Sequence, residues 1–296
     1  MQVFKVHVAG SSANLGPGFD CLAIALSSWL RVIVTPNDTG AIRDTNASDL
    51  LGGANLVIEA MLVTASRLGV SLPGCDVEIT SEIPVARGLG SSGAAIVGGI
   101  LAASTLAGAD LSDDDAIDIG GEMEGHADNV AASLLGGVTA AMRASDGYVA
   151  RQLAGSSSWQ AVVFVPDNPA FTAQARGILP PTIPLADAAF NVGRAAMLSL
   201  AFREQQPALL REAMQDRLHQ PYRAAIFPHL DPTIAAALEA GADGACLSGA
   251  GPSVLALAQP NVAAKVAQAM EAAGIAHRVP GSTVVLTVPE RGSWVE

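Results

Sequence analysis

The chain has 296 residues, of which 50% are hydrophobic and 15% are charged. This composition excludes a disordered chain, and the length accommodates one very large domain or two medium ones. The 28 acidic and 16 basic side chains give a net charge of −12, which disfavours nucleic acids and anionic membranes as partners.

Cysteine use and the N-terminus point to a cytoplasmic protein. Cys21, Cys75 and Cys246 lie far apart and no CxxC spacing occurs, so neither a disulfide framework nor a zinc site is indicated. The first ten residues lack the apolar stretch of a signal peptide. The most apolar window, residues 93–109, is rich in alanine and glycine, which favours a buried helix over a membrane span.

Taken in chain order, the first half of the sequence predicts alternating strands and helices. Val3, Val6 and Val8 indicate an opening strand, residues 10–20 are turn-rich, and residues 21–35 indicate an apolar strand. A loop over 36–53, a helix over 54–68 that ends at Gly69 and a strand over 75–83 that ends at Pro84 are predicted next. Two helices follow, one from Ser91 or Ser92 to about Ala107 and one over 111–124 with Ser112 as N-cap. The last predictions in this half are a strand over 136–142 and a hairpin turn at Asp146 and Gly147.

A small polar spacer over residues 155–158 marks the predicted domain boundary. Beyond it, residues 184–226 are mostly helical and residues 261–273 form a further helix. Strands are predicted over 161–165, 242–248, 253–258, 277–279 and 283–288. Because strands and helices alternate in both halves, the fold class is α/β or α+β.

The segment most informative about chemistry is IPVARGLGSSGA, residues 83–94, in which a strand end, a glycine-rich turn and a helix start follow one another. Gly88 and Gly90 let the backbone bend without a Cβ clash, and the amides at a helix N-terminus bind anions. Ser91 and Ser92 add hydroxyl ligands for a phosphate or a hard cation. The segment is neither a Walker loop nor GxGxxG, and an ordinary strand-turn-helix with good caps is the alternative.

Two further glycine-rich segments lie next to apolar runs. They are SSANLGPGFD, residues 11–20, and LSGAGPSVLAL, residues 247–257. Each alone is compatible with a tight turn. Three such loops, each joined to an apolar run, indicate one pocket that is lined by backbone.

The segments SSANLGPGFD, PVARGLGSSGA and SGAGPSV resemble, in order and spacing, the three signature motifs of the GHMP small-molecule kinases. The resemblance spans nearly the whole chain. It implies an α+β fold with an N-terminal mixed α/β domain over residues 1–155 and a C-terminal ferredoxin-like domain over residues 156–296.

Within that family, three other segments resemble the branch that phosphorylates L-homoserine. These are EGHADNVAASLLGG (124–137), FTAQARGILP (171–180) and DRLHQPYR (216–223). The implied reaction converts ATP and L-homoserine into ADP and O-phospho-L-homoserine, in threonine biosynthesis. The implied partners are these small molecules and, by family habit, a second copy in a homodimer, with no nucleic acid and no membrane.

The resemblance implies that ATP binds at the second motif and that Ser92 and Glu124 hold Mg²⁺, which prefers oxygen ligands. Glu122 is the rival carboxylate. Asn55 would lie near the adenine, although helix capping alone explains that residue equally well. The predicted ATP-binding residues are Asn55, Pro84, Val85, Ala86, Arg87, Gly88, Leu89, Gly90, Ser91, Ser92, Gly93 and Ala94.

A free amino acid needs opposite charges for its two ends. Arg176 and Arg223 are predicted to hold the carboxylate, because guanidinium forks match carboxylates in a bidentate way; a surface ion pair is the alternative for each. The other predicted substrate contacts are Asn14 and Asp20 for the ammonium, Thr172 one helical turn before Arg176, and His126.

The predicted catalytic residues are Glu124, Asp128 and Asn129; the resemblance implies that His126 contacts the homoserine and that Asn129 lies near its hydroxyl. By its chemistry alone, Asp128 is a candidate general base. Phosphoryl transfer has a loose transition state that mainly needs positioning and charge neutralisation. We therefore favour direct attack by a positioned hydroxyl and keep Asp128 as the weaker candidate.

Two other functions are weighed against this prediction. A kinase for another small alcohol, such as mevalonate, is the nearer alternative; a substrate lacking a carboxylate would leave Arg176 and Arg223 without a purpose. A non-catalytic ligand-binding relative should have eroded phosphate or Mg²⁺ residues, whereas Ser91, Ser92 and Glu124 are all present.

Overall fold

The computed structural model describes residues 2–46, 55–155, 158–170 and 172–296, and its description of side chains leaves out residues 172–174. Two β-sheets organise this part of the chain. Helices lie against both sheets, and the predicted α+β class is confirmed.

The strands, in chain order, are β1 (Phe4–Asn14), β2 (Gly18–Pro36), β3 (Ile42–Asp44), β4 (Cys75–Ser81), β5 (Val138–Ala144), β6 (Gly147–Ala154), β7 (Gln160–Pro166), β8 (Gly244–Leu247), β9 (Val254–Ala258), β10 (Gly281–Leu286) and β11 (Ser293–Val295). The helices are α1 (Leu56–Leu68), α2 (Ser91–Ala107), α3 (Asp113–Glu124), α4 (Asp128–Leu135), α5 (Thr172–Gly177), α6 (Leu185–Arg203), α7 (Pro207–Ala213), α8 (Gln220–Arg223), α9 (Leu230–Ala240) and α10 (Ala263–Ala276).

The first sheet has seven strands in the order β11-β1-β2-β4-β3, with β5 paired to β2 and β6 paired to β5. The pairing of β3 with β4 is parallel, and the other pairings are antiparallel. Helices α2 and α4 pack against β1 and β2. This packing places the start of α2, and with it the second glycine-rich segment, beside the end of β1.

The second sheet has four antiparallel strands in the order β10-β7-β9-β8, with α9 and α10 packed together against it. In chain order this is a β-α-β-β-α-β arrangement in which the first and third strands are central. It is the ferredoxin-like pattern that the resemblance implied. The boundary predicted between residues 155 and 156 stays a prediction.

Small residues explain why α2 is buried on nearly all sides. A Cβ at Gly99 would overlap the backbone carbonyl of Val57 on α1, so glycine allows these two helices to approach closely. A Cβ at Gly98 would press against Val32 on β2. The prediction of a buried helix is confirmed. Among the helices of the described residues, none is long and apolar enough to cross a membrane.

Several helix ends follow the predicted capping. The side chain of Asn55 accepts hydrogen bonds from the backbone of Val57 and Ile58 at the start of α1, which ends at Gly69 in a left-handed conformation with φ 67°. Ser112 caps α3 by accepting from the backbone N–H of Asp115. These local signals are specific because each is satisfied within one helical turn.

Two predictions near the N-terminus are wrong in part. Residues 10–14 continue β1 instead of forming a turn, because they pair with residues 18–26 of β2, and cross-strand pairing outweighs their turn propensity. The predicted loop over 36–53 contains β3, which pairs with β4; residues 47–53 of that prediction lie outside the described residues.

Later in the chain, the predicted strand over 277–279 is wrong. His277 caps α10, and Arg278 adopts φ 59°, so the chain turns there before β10 begins. The sequence analysis also missed α4, α9 and β11. Strand β11 has three residues and forms by pairing with Val6–Val8 at the opposite end of the chain, which no local signal indicates.

Candidate active site

The three glycine-rich segments meet at one cavity of about 420 Å³. Backbone hydrogen bonds join them: Ser11 N–H donates to Leu89 at 3.1 Å, and Gly249 N–H donates to the carbonyl of Ala13 at 3.1 Å. The Ser248 hydroxyl lies 2.8 Å from Ser12 Oγ and 2.7 Å from the carbonyl of Gly88. The common pocket lined by backbone is confirmed.

The second segment presents free amides to this cavity. The backbone N–H groups of residues 88–93 donate to no other group among the described residues, and Pro84 through Ser92 all line the cavity. Gly88 and Gly90 have φ values of 74° and 70°, which favour glycine. A Cβ on Gly90 would overlap Ser11 Oγ. This geometry suits the binding of an anion at the start of α2.

Arg87 is directed differently from the other residues of this segment. Its guanidinium donates to the carbonyls of Pro166 at 2.7 Å, Val85 at 3.1 Å and Asp167. The guanidinium therefore ties the loop to the end of β7, and its contact with ATP stays a prediction. Of the other predicted ATP-binding residues, Asn55, Gly93 and Ala94 lie outside the cavity lining.

Ser92 and Glu124 come together beside the start of α2. The hydroxyl of Ser92 donates to Glu124 Oε1. Glu124 Oε2 and Ser91 Oγ are buried and have no hydrogen-bond partner among the described residues. Burial raises the pKa of Glu124, against the charge of His126 and the Ser92 hydrogen bond. An unpartnered, buried carboxylate oxygen next to a hydroxyl fits a hard divalent cation.

The rival carboxylate, Glu122, lies outside this cavity. Its side chain is exposed and accepts a hydrogen bond from Arg143 at 3.4 Å. The two residues are two positions apart on α3, so they point to different sides of the helix.

His126, Asp128 and Asn129 form a hydrogen-bonded cluster that lines the same cavity beside Glu124. His126 Nδ1 lies 2.8 Å from Asp128 Oδ1, which also accepts from the backbone of Asn129 at 2.8 Å. Burial opposes protonation of His126, but the hydrogen bond and charge of Asp128 outweigh it and raise the pKa of His126 to about 9. The imidazole is therefore a cation at neutral pH. Asn129 Oδ1 accepts from Ser11 Oγ at 3.0 Å.

Arg176 and Asp20 form a bidentate ion pair at the cavity, with both nitrogen–oxygen distances at 2.8 Å. The two residues that were predicted to hold opposite ends of an amino acid thus hold each other. Asp20 has φ 54°, a strained backbone conformation of the kind that clusters at functional sites.

Arg223 lines the same cavity and is 1% exposed. Nε donates to the carbonyl of Ala175 at 3.2 Å, and Nη1 to His219 Nδ1 at 3.0 Å and to the carbonyl of Gly249 at 3.1 Å. Nη2 has no partner among the described residues, and within them Arg223 forms no ion pair. Burial and then the charge of Arg176 lower the pKa of Arg223 to about 10. A buried guanidinium without a counter-ion attracts a carboxylate.

Two predicted substrate contacts have other surroundings. Asn14 is buried and uses its amide to donate to the carbonyl of Gly249 at 2.9 Å and to accept from the backbone of Asp20 at 3.0 Å. It lines the cavity, and it also holds the first and third segments together. Thr172 begins α5, and its side chain lies outside the described residues.

Phe19 is a cavity residue that sequence reasoning missed. Its ring centroid lies 5.4 Å from the guanidinium carbon of Arg176 and 5.6 Å from that of Arg223. An aromatic ring this close to two guanidinium groups attracts both of them. The available signal was its place directly before Asp20, which could have marked it as part of the site.

Family models match both halves of the chain. The model for the GHMP kinases N terminal domain matches residues 55–137, and the model for GHMP kinases C terminal matches residues 198–276.

Individual relatives extend this similarity to nearly the full length. The chain is 40% identical to the homoserine kinase of Desulfitobacterium hafniense over 294 residues, which is 98% of this chain and 99% of the relative. The crystal structure of homoserine kinase from Cytophaga hutchinsonii superposes with a TM-score of 0.90 at 31% identity, over 100% of this chain and 98% of the other. The L. major mevalonate kinase structure, at 19% identity, a TM-score of 0.72 and coverage of 96% and 95%, shares the fold alone.

Proposed function

The chain belongs to the GHMP kinase family, and on that basis we propose that it transfers the γ-phosphoryl group of ATP to the side-chain hydroxyl of L-homoserine. The product is O-phospho-L-homoserine, an intermediate of threonine biosynthesis. The observation that carries the proposal is one cavity that joins free backbone amides at the start of α2 to the guanidinium groups of Arg176 and Arg223.

The segment over residues 84–92, called the phosphate loop below, would bind the phosphates of ATP mainly through its backbone N–H groups. Its free N–H groups and the positive end of the α2 dipole converge on one place, where they stabilise the charge of a triphosphate. Only two lysines occur in the chain, Lys5 and Lys265, and neither lines the cavity. The loop is thus suited to phosphate binding without a lysine partner.

We propose that Ser92 and Glu124 hold a Mg²⁺ ion with the phosphates. When bound, Mg²⁺ neutralises charge that develops on the phosphoryl oxygens. The buried, unpartnered Oε2 of Glu124 supports this role, since a cation would compensate for the cost of burying the carboxylate.

The amino-acid end of the substrate requires two charges. Arg223 Nη2 is free for a carboxylate, and Arg176 adds a second guanidinium near the same Phe19 ring. Asp20 is the acidic group for the ammonium. A zwitterion can replace the Asp20–Arg176 ion pair with two new ones, one to each end of the substrate.

The hydroxyl of the substrate then attacks the γ-phosphorus directly. Asp128 Oδ1 already has two hydrogen-bond partners, His126 Nδ1 and the backbone N–H of Asn129, so we do not assign it the substrate proton. Asn129 and His126 instead orient the hydroxyl. Its oxygen bonds to the γ-phosphorus as the bond to ADP breaks, and its proton passes to an oxygen of the transferred phosphoryl group. Positioning of this kind is sufficient for a loose transition state.

The test is an assay of ADP release with the purified protein, ATP and Mg²⁺. We expect stimulation by L-homoserine and little by mevalonate or a sugar. Stimulation by one of the latter alone would contradict the substrate assignment. A protein without any ATP turnover would be a non-catalytic relative.

A cytoplasmic location and a homodimer remain predictions. Cell fractionation would check the first, and light scattering of the purified protein would check the second.

A further inference from the structure

A buried histidine beside the cavity has no role in the reaction as described so far. His219 is 0% exposed and lies immediately before α8. It does not line the cavity, but both of its ring nitrogens form hydrogen bonds beside it. One of them meets Arg223 and the other meets the turn between β1 and β2.

The partners of His219 determine its tautomer. Arg223 Nη1 can only donate, so His219 Nδ1 must accept that hydrogen bond at 3.0 Å. Nε2 therefore carries the proton and donates to the carbonyl of Gly16 at 2.8 Å. A neutral imidazole fits this arrangement, because a proton on Nδ1 would face the N–H of Arg223.

The segment that carries His219 is itself held by buried polar groups. The carboxylate of Asp216 accepts from the backbone N–H groups of Leu218 at 2.8 Å, His219 at 3.0 Å and Gln220 at 2.7 Å. Asn191 on α6 donates to Asp216 at 2.7 Å and to the carbonyl of Pro17 at 3.2 Å. The histidine and the asparagine thus attach to adjacent carbonyls of one turn.

This turn leads directly to Phe19 and Asp20. Arg223 and Asp20 are the groups assigned above to the carboxylate and the ammonium of the substrate. His219 joins the Arg223 guanidinium to the Gly16 carbonyl, in the turn that precedes Asp20. The His219 ring also lies 5.4 Å from the ring of Phe19. The substrate carboxylate would bind between Arg176 and Arg223, which both lie near that ring.

We propose that His219 is a positioning residue which, through Nδ1, aims the free edge of the Arg223 guanidinium at the substrate carboxylate. The inference rests on the proposed homoserine kinase activity and deepens it. Arg223 has no carboxylate to orient it among the described residues, so neutral acceptors set its direction. Two of these acceptors are backbone carbonyls, and His219 is the side chain that completes the set.

Two substitutions separate the functions of the two ring nitrogens. His219→Asn keeps an acceptor near the position of Nδ1 and loses the bond to Gly16. His219→Gln keeps a donor near the position of Nε2 and loses the acceptor for Arg223. KM values for homoserine and for ATP are measured for both variants, and KM does not depend on the fraction of protein that is folded. His277→Asn, at an exposed histidine that ends α10, is the control.

We expect His219→Gln to raise the KM for homoserine about tenfold or more, which is the typical effect of losing a hydrogen bond to a charged group. Its KM for ATP should stay within about twofold, and the homoserine KM of His219→Asn within about threefold. Equal effects of both variants on homoserine, or a change in the ATP KM as large as in the homoserine KM, would indicate a merely structural role and overturn the inference.

The outcome is distinguishable from a failure of the proposed function. If the unaltered protein shows no homoserine-dependent ADP release, the proposed function is wrong and so is the role built on it. If it does, and the glutamine variant has an unchanged homoserine KM, only the inference fails. Should the glutamine variant not fold, the asparagine variant decides alone: an increase in homoserine KM of about tenfold overturns the inference.

Discussion

Arg176 is the residue whose removal best tests the amino-acid site. In Arg176→Ala, the bidentate pair with Asp20 and a carboxylate ligand are lost together. We expect the KM for homoserine to rise roughly tenfold to a hundredfold, and the KM for ATP to stay within about twofold. Arg151→Ala, which removes an exposed ion pair with Asp114, is the matched control. Unchanged homoserine kinetics would remove Arg176 from the site.

Glu124 and Glu122 provide a similar comparison for the metal ion. Glu124→Gln weakens a cation ligand whose second oxygen is buried and unpartnered among the described residues. The Mg²⁺ concentration for half-maximal activity should rise at least roughly tenfold. Glu122→Gln changes an exposed side chain on the same helix and should have no such effect. If the two variants gave the same Mg²⁺ dependence, the assignment of Glu124 would be wrong.

The lowered pKa of the buried His219 side chain predicts how the free energy of unfolding depends on pH. Burial lowers the pKa of His219 from 6.5 to about 4, with Arg223 acting in the same direction and Asp216 opposing it. The unfolded chain therefore takes up a proton that the folded chain does not. The stability contributed by the neutral form is fully present above pH 6.5 and is lost as the pH falls towards 4, by about 3 kcal/mol at most.

Urea unfolding at pH 7 and pH 5 measures this contribution. The unaltered protein should lose more free energy of unfolding over that interval than His219→Asn, which has no titrating group at this position. If His219→Asn lost as much free energy of unfolding between pH 7 and pH 5 as the unaltered protein, the pKa of His219 would not be lowered by folding.

At the scale of the element, the start of helix α2 is the part to which we assign phosphate binding. Gly90 and Gly108 flank this helix with similar φ values, 70° and 65°. A Cβ on Gly90 would meet Ser11, whereas a Cβ on Gly108 would meet nothing within 4 Å. The pair thus separates backbone strain from a steric clash at the phosphate loop.

Gly108→Ala should lower the free energy of unfolding by about 1 kcal/mol through left-handed strain, with an unchanged KM for ATP. Gly90→Ala has the same strain and a clash in addition. It should destabilise the protein further and raise the KM for ATP at least roughly tenfold, because the amides lose their alignment. Equal KM values for ATP in the two variants would argue against phosphate binding at this loop.

On the scale of the whole molecule, Arg87 joins the phosphate loop to the second sheet. It donates to carbonyls at the end of β7, and the backbone of Ala170 donates to Ala86 at 2.9 Å. These hydrogen bonds connect the loop before α2 to the second sheet. The third glycine-rich segment, between β8 and β9, strengthens the same junction through Ser248.

Arg87→Lys should weaken this junction, because one ammonium group cannot reach the carbonyls that the guanidinium fork serves. We expect a loss of about 1–3 kcal/mol in the free energy of unfolding and a KM for ATP that rises several-fold. Arg31→Lys, at an exposed ion pair with Glu82, is the control and should change neither quantity. A stable variant with a normal KM for ATP would show that the junction does not depend on Arg87.

Local signals in the sequence determined much of this protein. The helix caps at Asn55, Gly69 and Ser112 lie where predicted, because each is satisfied by neighbours within one turn. The glycine-rich turn before α2 was also evident, since only glycine allows positive φ beside a close backbone contact. Three such loops predicted one pocket, and they line one.

Tertiary structure decided what depends on residues distant in sequence. The strand pairing of residues 10–14 and of β11 comes from partners that local propensity does not reveal. The Arg87 guanidinium donates to carbonyls at the end of β7, which are distant in sequence, and Asp20 pairs with Arg176 across 156 positions of sequence. Residue type predicts which charges a site contains; only packing determines which of them face each other and which remain free for a ligand.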